Sequence, residues 1–333
     1  MLAHAAVAIA PGRVEYRAAE VPDPGPEEVQ VRVLHSWISN GTEGSFVRGE
    51  RIAGDTPRAA TDPLPFPHVP GYQKVGVVEQ VGSAVTRFSP GDLVFATVSK
   101  TPGMFYATGG HISPAITHQS QLWRLPDGVL PVAASGLVLT QVGYNVGIRP
   151  DLKPGDACIV IGDGMVGHWS AQTLQHRGAR VMLLGKHQDR LARFECVAGD
   201  ATLNIANESV VDRIREWAPE GVQLAADTVG NIPFLESLFP LMRHFSQISS
   251  AGFYGSNGLI DIQKLRSREM TLHAPAGWTA ERMDATLELL ARGALKTDHL
   301  ITHRMPAARA AEAFDIILSR QPGVLGVVLD WEE

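Results

Sequence analysis

The sequence predicts an α/β protein in two parts, a small β-barrel and a doubly wound parallel sheet. Short segments that alternate apolar and polar residues fill the first third of the chain, separated by glycine and proline turns. From Pro154 onward, apolar strands alternate with helical runs at the spacing of successive βα units. The length, 333 residues, exceeds what a single core commonly fills.

Taken in order, residues 1–35 hold strand patterns at Ala6-Val7-Ala8-Ile9, Val14-Glu15-Tyr16 and Val29-Gln30-Val31-Arg32-Val33. Pro22, Pro24, Gly25 and Pro26 mark a surface turn between them. Residues 36–45 read as a polar loop opening a short helix, with Asn40 or Thr42 as its cap. Residues 53–70, rich in proline and turn formers, read as an irregular surface loop. Two short strands follow over 70–82 and 89–94. Gly71 admits positive φ before the first, alternating valines supply a half-buried face, and Pro90-Gly91-Asp92 makes the turn into the second. The glycine-rich, aromatic stretch 100–111 suits a mobile wall over a pocket.

A helical pattern covers 131–148. Strands are then expected at 157–161, 180–184, 222–226 and 247–251. The helix marked by Asp189-Arg190-Leu191-Ala192 is expected to run to Gly199, with further helices near 279–292 and 306–319 and a last strand at 326–329.

Composition excludes several classes. The 44% hydrophobic and 19% charged residues are those of an ordinary soluble protein. A net charge of −6 with both signs interspersed offers no basic patch for nucleic acid. Two cysteines, Cys158 and Cys196, make neither a disulfide framework nor a four-cysteine zinc site, and Cys158 reads as a core residue. No apolar run of ~18 residues and no basic leader is present, so a cytoplasmic enzyme with no membrane partner is expected.

Gly162-x-Gly164-x-x-Gly167 stands between an apolar strand and a helix, with a second strand about 20 residues on, the context of a dinucleotide site. Gly162 permits the tight turn, Gly164 lets the backbone approach a pyrophosphate, and Gly167 lets helix and strand pack. Met165 and Val166 sit in the first helical turn, whose N–H groups face the anion. NAD-selective sites place a carboxylate at the end of the second strand; here that position is Gly185, followed by Lys186 and His187, with Arg190 one turn on. Loss of the acid and the nearby cations favour NADP(H) over NAD(H), which stays possible. Lys186 and Arg190 also read as plain solvated charges.

The barrel, the Gly71-Tyr72-Gln73-x-x-Gly76-x-Val78-x-x-Val81-Gly82 stretch, Gly91-Asp92-x-Val94, the three-glycine motif and the Gly178-Ala179-Arg180-Val181 strand entry together resemble the medium-chain alcohol dehydrogenase superfamily. The resemblance spans essentially the whole chain. It implies a GroES-like β-barrel catalytic domain over 1–125 and 270–333, a Rossmann nucleotide-binding domain over 126–269, an active site in the cleft, and a homodimer. Ile38-Ser39-x-Gly41-Thr42-Glu43 and Val69-Pro70-Gly71-Tyr72 look most like the bacteriochlorophyllide dehydrogenase branch, in the N-terminal half only.

Residue by residue, the resemblance also exposes departures. Where the family has its first zinc-ligating cysteine, this chain has Asn40; where it has the ligand histidine, Tyr72, with Gln73 for the neighbouring acid. No cysteine, histidine or carboxylate stands between 132 and 142 for the third ligand, and the four cysteines of a structural zinc lobe are missing. No zinc is expected. Hydrogen-bond donors must then stabilise the developing oxyanion. Thr42 matches the family's relay hydroxyl, or serves only as a helix cap. Tyr72 either donates a proton or fills the volume of the missing metal. Lys74, two residues on along the strand, either lowers the Tyr72 pKa or is a solvated strand residue. Asn40 is placed to orient the substrate oxygen. Glu43, Gln73, Tyr106 and His111 are candidates for the substrate pocket, Glu43 also for a buried anchoring pair and His111 also for a structural histidine.

The expected activity is zinc-independent hydride transfer between NADP(H) and a small-molecule alcohol or ketone. Reduction of an activated C=C bond, as in enoyl and quinone reductases, and nucleotide binding without turnover are the competing readings.

Overall fold

The structure, a computed structural model, describes residues 1–255 and 258–332 and divides into two compact units. The first comprises Met1–Val138, Met283–Ala291 and Thr297–Glu333; the second comprises Leu139–Arg282 and Arg292–Lys296. Among the described residues, no helix is long and apolar enough to cross a membrane.

The first unit is built on the strand Glu28–Ile38, which pairs antiparallel with Lys74–Val81, Ala115–His118 and Gly326–Asp330. Its seven-stranded sheet runs Leu122–Arg124, Leu93–Ala96, Lys74–Val81, Glu28–Ile38, Gly326–Asp330, Ile301–Pro306, with Ala115–His118 off that path. A second sheet orders Ile112–Ser113, Leu2–Ala10 and Arg13–Glu20. The helix Ala310–Leu318 buries Ala310, Ala313, Phe314 and Ile317, a spacing of three, one and three that keeps one helical face on the core.

Several expectations change here. Residues 36–38 are strand, not loop, because Trp37 and Ile38 are fully buried and pair with Val328 and Val327. The 53–70 loop holds part of a small hairpin, Arg51–Ala53 with Thr56–Pro57, and residues 100–111 hold part of another, Ser99–Lys100 with Thr108–Gly109. The helical run 131–148 is two helices, Pro131–Ala134 and Leu137–Ile148. Residues 126–138 fall in the first unit, where Pro131–Ala134 packs on Glu28–Ile38 and Lys74–Val81.

The second unit holds a six-stranded, wholly parallel sheet ordered Ala201–Asn204, Arg180–Gly185, Ala157–Ile161, Val222–Asp227, Met242–Ser250, Thr271–His273. Both faces are covered: Ile159, Ile161, Met182 and Leu184 join one cluster, and Cys158, Val160, Val181 and Leu183 join the other. Burial on both faces is why these strands read as unbroken apolar runs. The chain order reverses at Ala157–Ile161, whose carboxyl end is therefore a topological switch point. Ala201–Asn204 has no counterpart among the expected strands. The helix expected to reach Gly199 is the single turn Gln188–Leu191. Thr271–His273 completes this sheet by pairing with Met242–Ser250, which moves residues 270–282 from the expected barrel into the second unit.

The central pairing of the first unit depends on a missing side chain. A Cβ on Gly76 would stand 2.2 Å from the Arg32 carbonyl oxygen and 2.6 Å from Val31 Cγ1. Gly76→Ala should therefore cost about 3 kcal/mol or more by urea denaturation, the upper range for overpacking.

Candidate active site and nucleotide site

In the first unit, Tyr72 precedes the strand Lys74–Val81, and its hydroxyl is paired with the side chains of Ser39 and Thr42. Tyr72 as a residue is partly exposed, but its phenol oxygen is desolvated. That desolvation, and next the negative charge of Glu43, push its pKa up to about 12; Ser39, Thr42 and Arg51 oppose the rise. The phenol is a protonated donor throughout the neutral range.

Glu43 lies inside the protein, 1% exposed. Its Oε1 accepts from the Ser39 backbone N–H at 2.9 Å, and its Oε2 lies 2.7 Å from His111 Nε2. A carboxylate only accepts, so Nε2 carries the hydrogen. His111 Nδ1 lies 2.8 Å from Ser36 Oγ, which also accepts from Trp331 Nε1 at 2.8 Å. Glu43 and His111 thus form a buried pair, which matches the anchoring alternative for Glu43. The helix Thr42–Val47 begins after Gly41 with no side-chain cap, so neither Asn40 nor Thr42 serves as one.

The other candidates disperse. Lys74 is fully buried, not solvated; its Nζ donates to the carbonyls of Thr97 at 2.7 Å and Gly110 at 3.0 Å. Burial pulls its pKa down to about 7, and Lys74 is not among the groups acting on Tyr72. The expectation that it lowers the phenol's pKa is overturned, since burial and Glu43 raise it. Gln73, also buried, donates from Nε2 to the Trp37 carbonyl at 3.0 Å. Asn40 Nδ2 donates to the Leu325 carbonyl at 2.7 Å, while its Oδ1 is buried without a partner among the described residues. Tyr106 donates to the Ile52 carbonyl at 2.8 Å, and its ring meets Phe46 and His68 edge-on.

In the second unit, Gly162 follows the strand Ala157–Ile161 with φ of 117°, and a Cβ on Gly167 would fall 1.9 Å from the Gly162 carbonyl oxygen. Only glycine fits there. Gly164 has no atom within 4 Å of its Cβ position, leaving its backbone open to a ligand, and the twelve-residue helix Met165–His176 starts at the next residue. Gly162, Gly164 and Gly167, with Met165 and Val166, therefore fit a dinucleotide's pyrophosphate. Gly185 ends the second strand, Lys186 and His187 are exposed, and Arg190 is partly buried.

Sequence reasoning missed Ser39, whose hydroxyl pairs with Tyr72, and the Ser36–Trp331 contact behind His111. It also missed Asp163, although an acid inside the glycine motif beside an acid-free strand end was a readable signal.

Residues 25–127 match the alcohol dehydrogenase GroES-like domain family, and residues 166–292 match the zinc-binding dehydrogenase family. The 2-desacetyl-2-hydroxyethyl bacteriochlorophyllide A dehydrogenase of Rhodobacter capsulatus is 28% identical, covering 97% of this chain and 96% of that one. The rspB alcohol dehydrogenase of Escherichia coli CFT073, complexed with NADH, superposes with a TM-score of 0.85 at 20% identity, covering 99% of both chains. A dehydrogenase from Sinorhizobium meliloti 1021 bound to NADP gives 0.83 at 17% identity, covering 99% of this chain and 100% of that one.

The second family implies a zinc ion, and the donor set does not fit one. Among the described residues, no group of three or more histidines, cysteines or carboxylates could hold a metal. Asn40 offers an amide, Tyr72 a phenol held protonated, and the Glu43 carboxylate is occupied by Ser39 and His111.

Lys74 gives a testable pH dependence. Below about pH 7 the lysine is charged in both states, and the fold bears the cost of burying it. Between that value and the ordinary 10.5, only the unfolded chain keeps the proton, so stability rises with pH. The urea midpoint should climb from about pH 7 to pH 9, and Lys74→Met should remove the climb while lowering stability overall through two unpaired carbonyls.

Proposed function

The chain belongs to the alcohol dehydrogenase-like medium-chain dehydrogenase/reductase superfamily, and from that premise we propose that it is a zinc-independent oxidoreductase moving a hydride between NADP(H) and an alcohol or ketone. The observation that carries this reading is Tyr72: a desolvated, protonated phenol with two hydroxyl partners, standing where the superfamily has a ligand histidine.

A bound nicotinamide supplies or accepts the hydride. In the reducing direction, the carbonyl oxygen gains negative charge as its carbon takes the hydride, and Tyr72 donates the proton that completes the alcohol. An alkoxide is a much stronger base than a phenolate whose acid has a pKa of about 12, so that transfer runs downhill. Thr42 and Ser39 return a proton to the phenolate, Thr42 being partly exposed and able to exchange with water. The buried Oδ1 of Asn40 is an acceptor suited to a substrate hydroxyl. Lys74, Gln73, Glu43 and His111 hold the backbone and charge around Tyr72.

NADP(H) preference is supported by Gly185 at the strand end and by Lys186 and Arg190 just beyond it. The bacteriochlorophyllide relative supports an alcohol-bearing substrate, and its own substrate is one candidate among several.

Tyr72→Phe should lower kcat about a hundredfold while leaving the NADPH dissociation constant unchanged, the size expected for losing a general acid. Equal activity in the variant would sink the role of Tyr72. A screen of ketones against α,β-unsaturated acceptors, read as NADPH consumption, should favour the ketones; the reverse would point to C=C reduction. The purified enzyme should hold no stoichiometric metal and resist chelators. Lys186→Ala with Arg190→Ala should weaken NADPH binding about tenfold or more and leave NADH binding nearly unchanged.

A further inference from the structure

We infer that Asp163, between the first two glycines of the nucleotide motif, is the positioning residue of the 2′-phosphate subsite, a conclusion that rests on the NADP(H) reading. The strand Arg180–Gly185 ends on a residue without a side chain, and the reason lies next to it. A Cβ on Gly185 would stand 2.4 Å from Asp163 Oδ2 and 2.5 Å from Asp163 Cβ. The path by which a strand-end acid would leave the backbone is already filled by an acid from the glycine loop. The two positions exclude each other.

The direction of the carboxylate decides what it does. Oδ2 accepts from the backbone N–H groups of Lys186 and His187, each at 2.8 Å, and lies 2.9 Å from His187 Nδ1. Oδ1 lies 3.1 Å from the same nitrogen and 3.7 Å from Arg190 Nη1. Only 8% of the side chain is exposed. A carboxylate with this set of donors is engaged with the protein, unlike one left open to accept from a ribose hydroxyl.

Three consequences follow for a dianion arriving here. The acid's charge is met by two backbone dipoles and by the basic side chains of His187 and Arg190. The backbone of Lys186 is held in one conformation, with its side chain exposed. Arg190 lies on a helix of four residues, far too short to order itself, and Asp163 anchors that helix at its entry. Asp163 therefore fixes the cations that pair with a 2′-phosphate, from the place where an NAD-type acid would repel one.

Calorimetric binding of adenosine 2′,5′-bisphosphate and of 5′-AMP tests this without turnover. Wild type should prefer the bisphosphate, and Asp163→Asn should weaken bisphosphate binding about tenfold while changing 5′-AMP binding little. Moving the acid, with Asp163→Gly and Gly185→Asp together, should abolish the preference. Where Asp163→Asn does not fold, Gly185→Ala carries the same test, because its methyl group displaces the carboxylate. An unchanged preference in the folded variant overturns the inference and leaves the NADP(H) reading standing. A stronger one overturns it too, and makes Asp163 a reader of the ribose hydroxyl. No preference in wild type overturns the NADP(H) reading and this inference with it.

Discussion

Glu43 takes a carboxylate out of water, and the site in the first unit is arranged by the donors that this demands. An unpaired charge in such a place costs several kcal/mol. The Ser39 N–H and the His111 imidazole meet the two oxygens, Ser36 fixes the imidazole, and Trp331 fixes Ser36. The chain's last residues are thereby tied to its first sheet, where Gly326–Asp330 lies beside Glu28–Ile38. Burial of the Tyr72 phenol, and next the charge so held, raise its pKa.

Buried charge is handled differently elsewhere in the molecule. Lys74 has two carbonyl acceptors and, among the described residues, no carboxylate in hydrogen-bonding contact, and its pKa falls to about 7, so the cost is limited by losing the proton. In the second unit, the Asp163 carboxyl gathers backbone N–H groups and basic side chains around it. A cation that can neutralise and an anion that finds donors are the two ordinary ways out of the same desolvation penalty.

The chemistry follows from these choices. A metal site needs ligands that are free and deprotonated, whereas Tyr72 is kept protonated and Glu43 is engaged. In the proposed reading, the phenol that these surroundings keep protonated donates its hydrogen toward the oxyanion developing on the substrate. On that reading, one superfamily scaffold supports a second means of stabilising the same charge.

Sequence alone went far on the strands and on the nucleotide motif. Valines at every second position, glycines at fixed spacing and apolar runs before helices are local signals, set by backbone period and sterics within a few residues. They placed Ala157–Ile161, Gly162, Gly164 and Gly167, whereas it was the resemblance to the superfamily that flagged Tyr72 and Asn40 as departures from a metal site. They did not show that Lys74 is buried, because a lysine on an alternating strand reads the same whether its face meets water or a covering loop. Nor did they pair Glu43 with His111, 68 residues apart, or Asp163 with the empty side-chain position of Gly185. Those partners are chosen by sheet register and loop path, which bring together atoms that no sequence spacing relates.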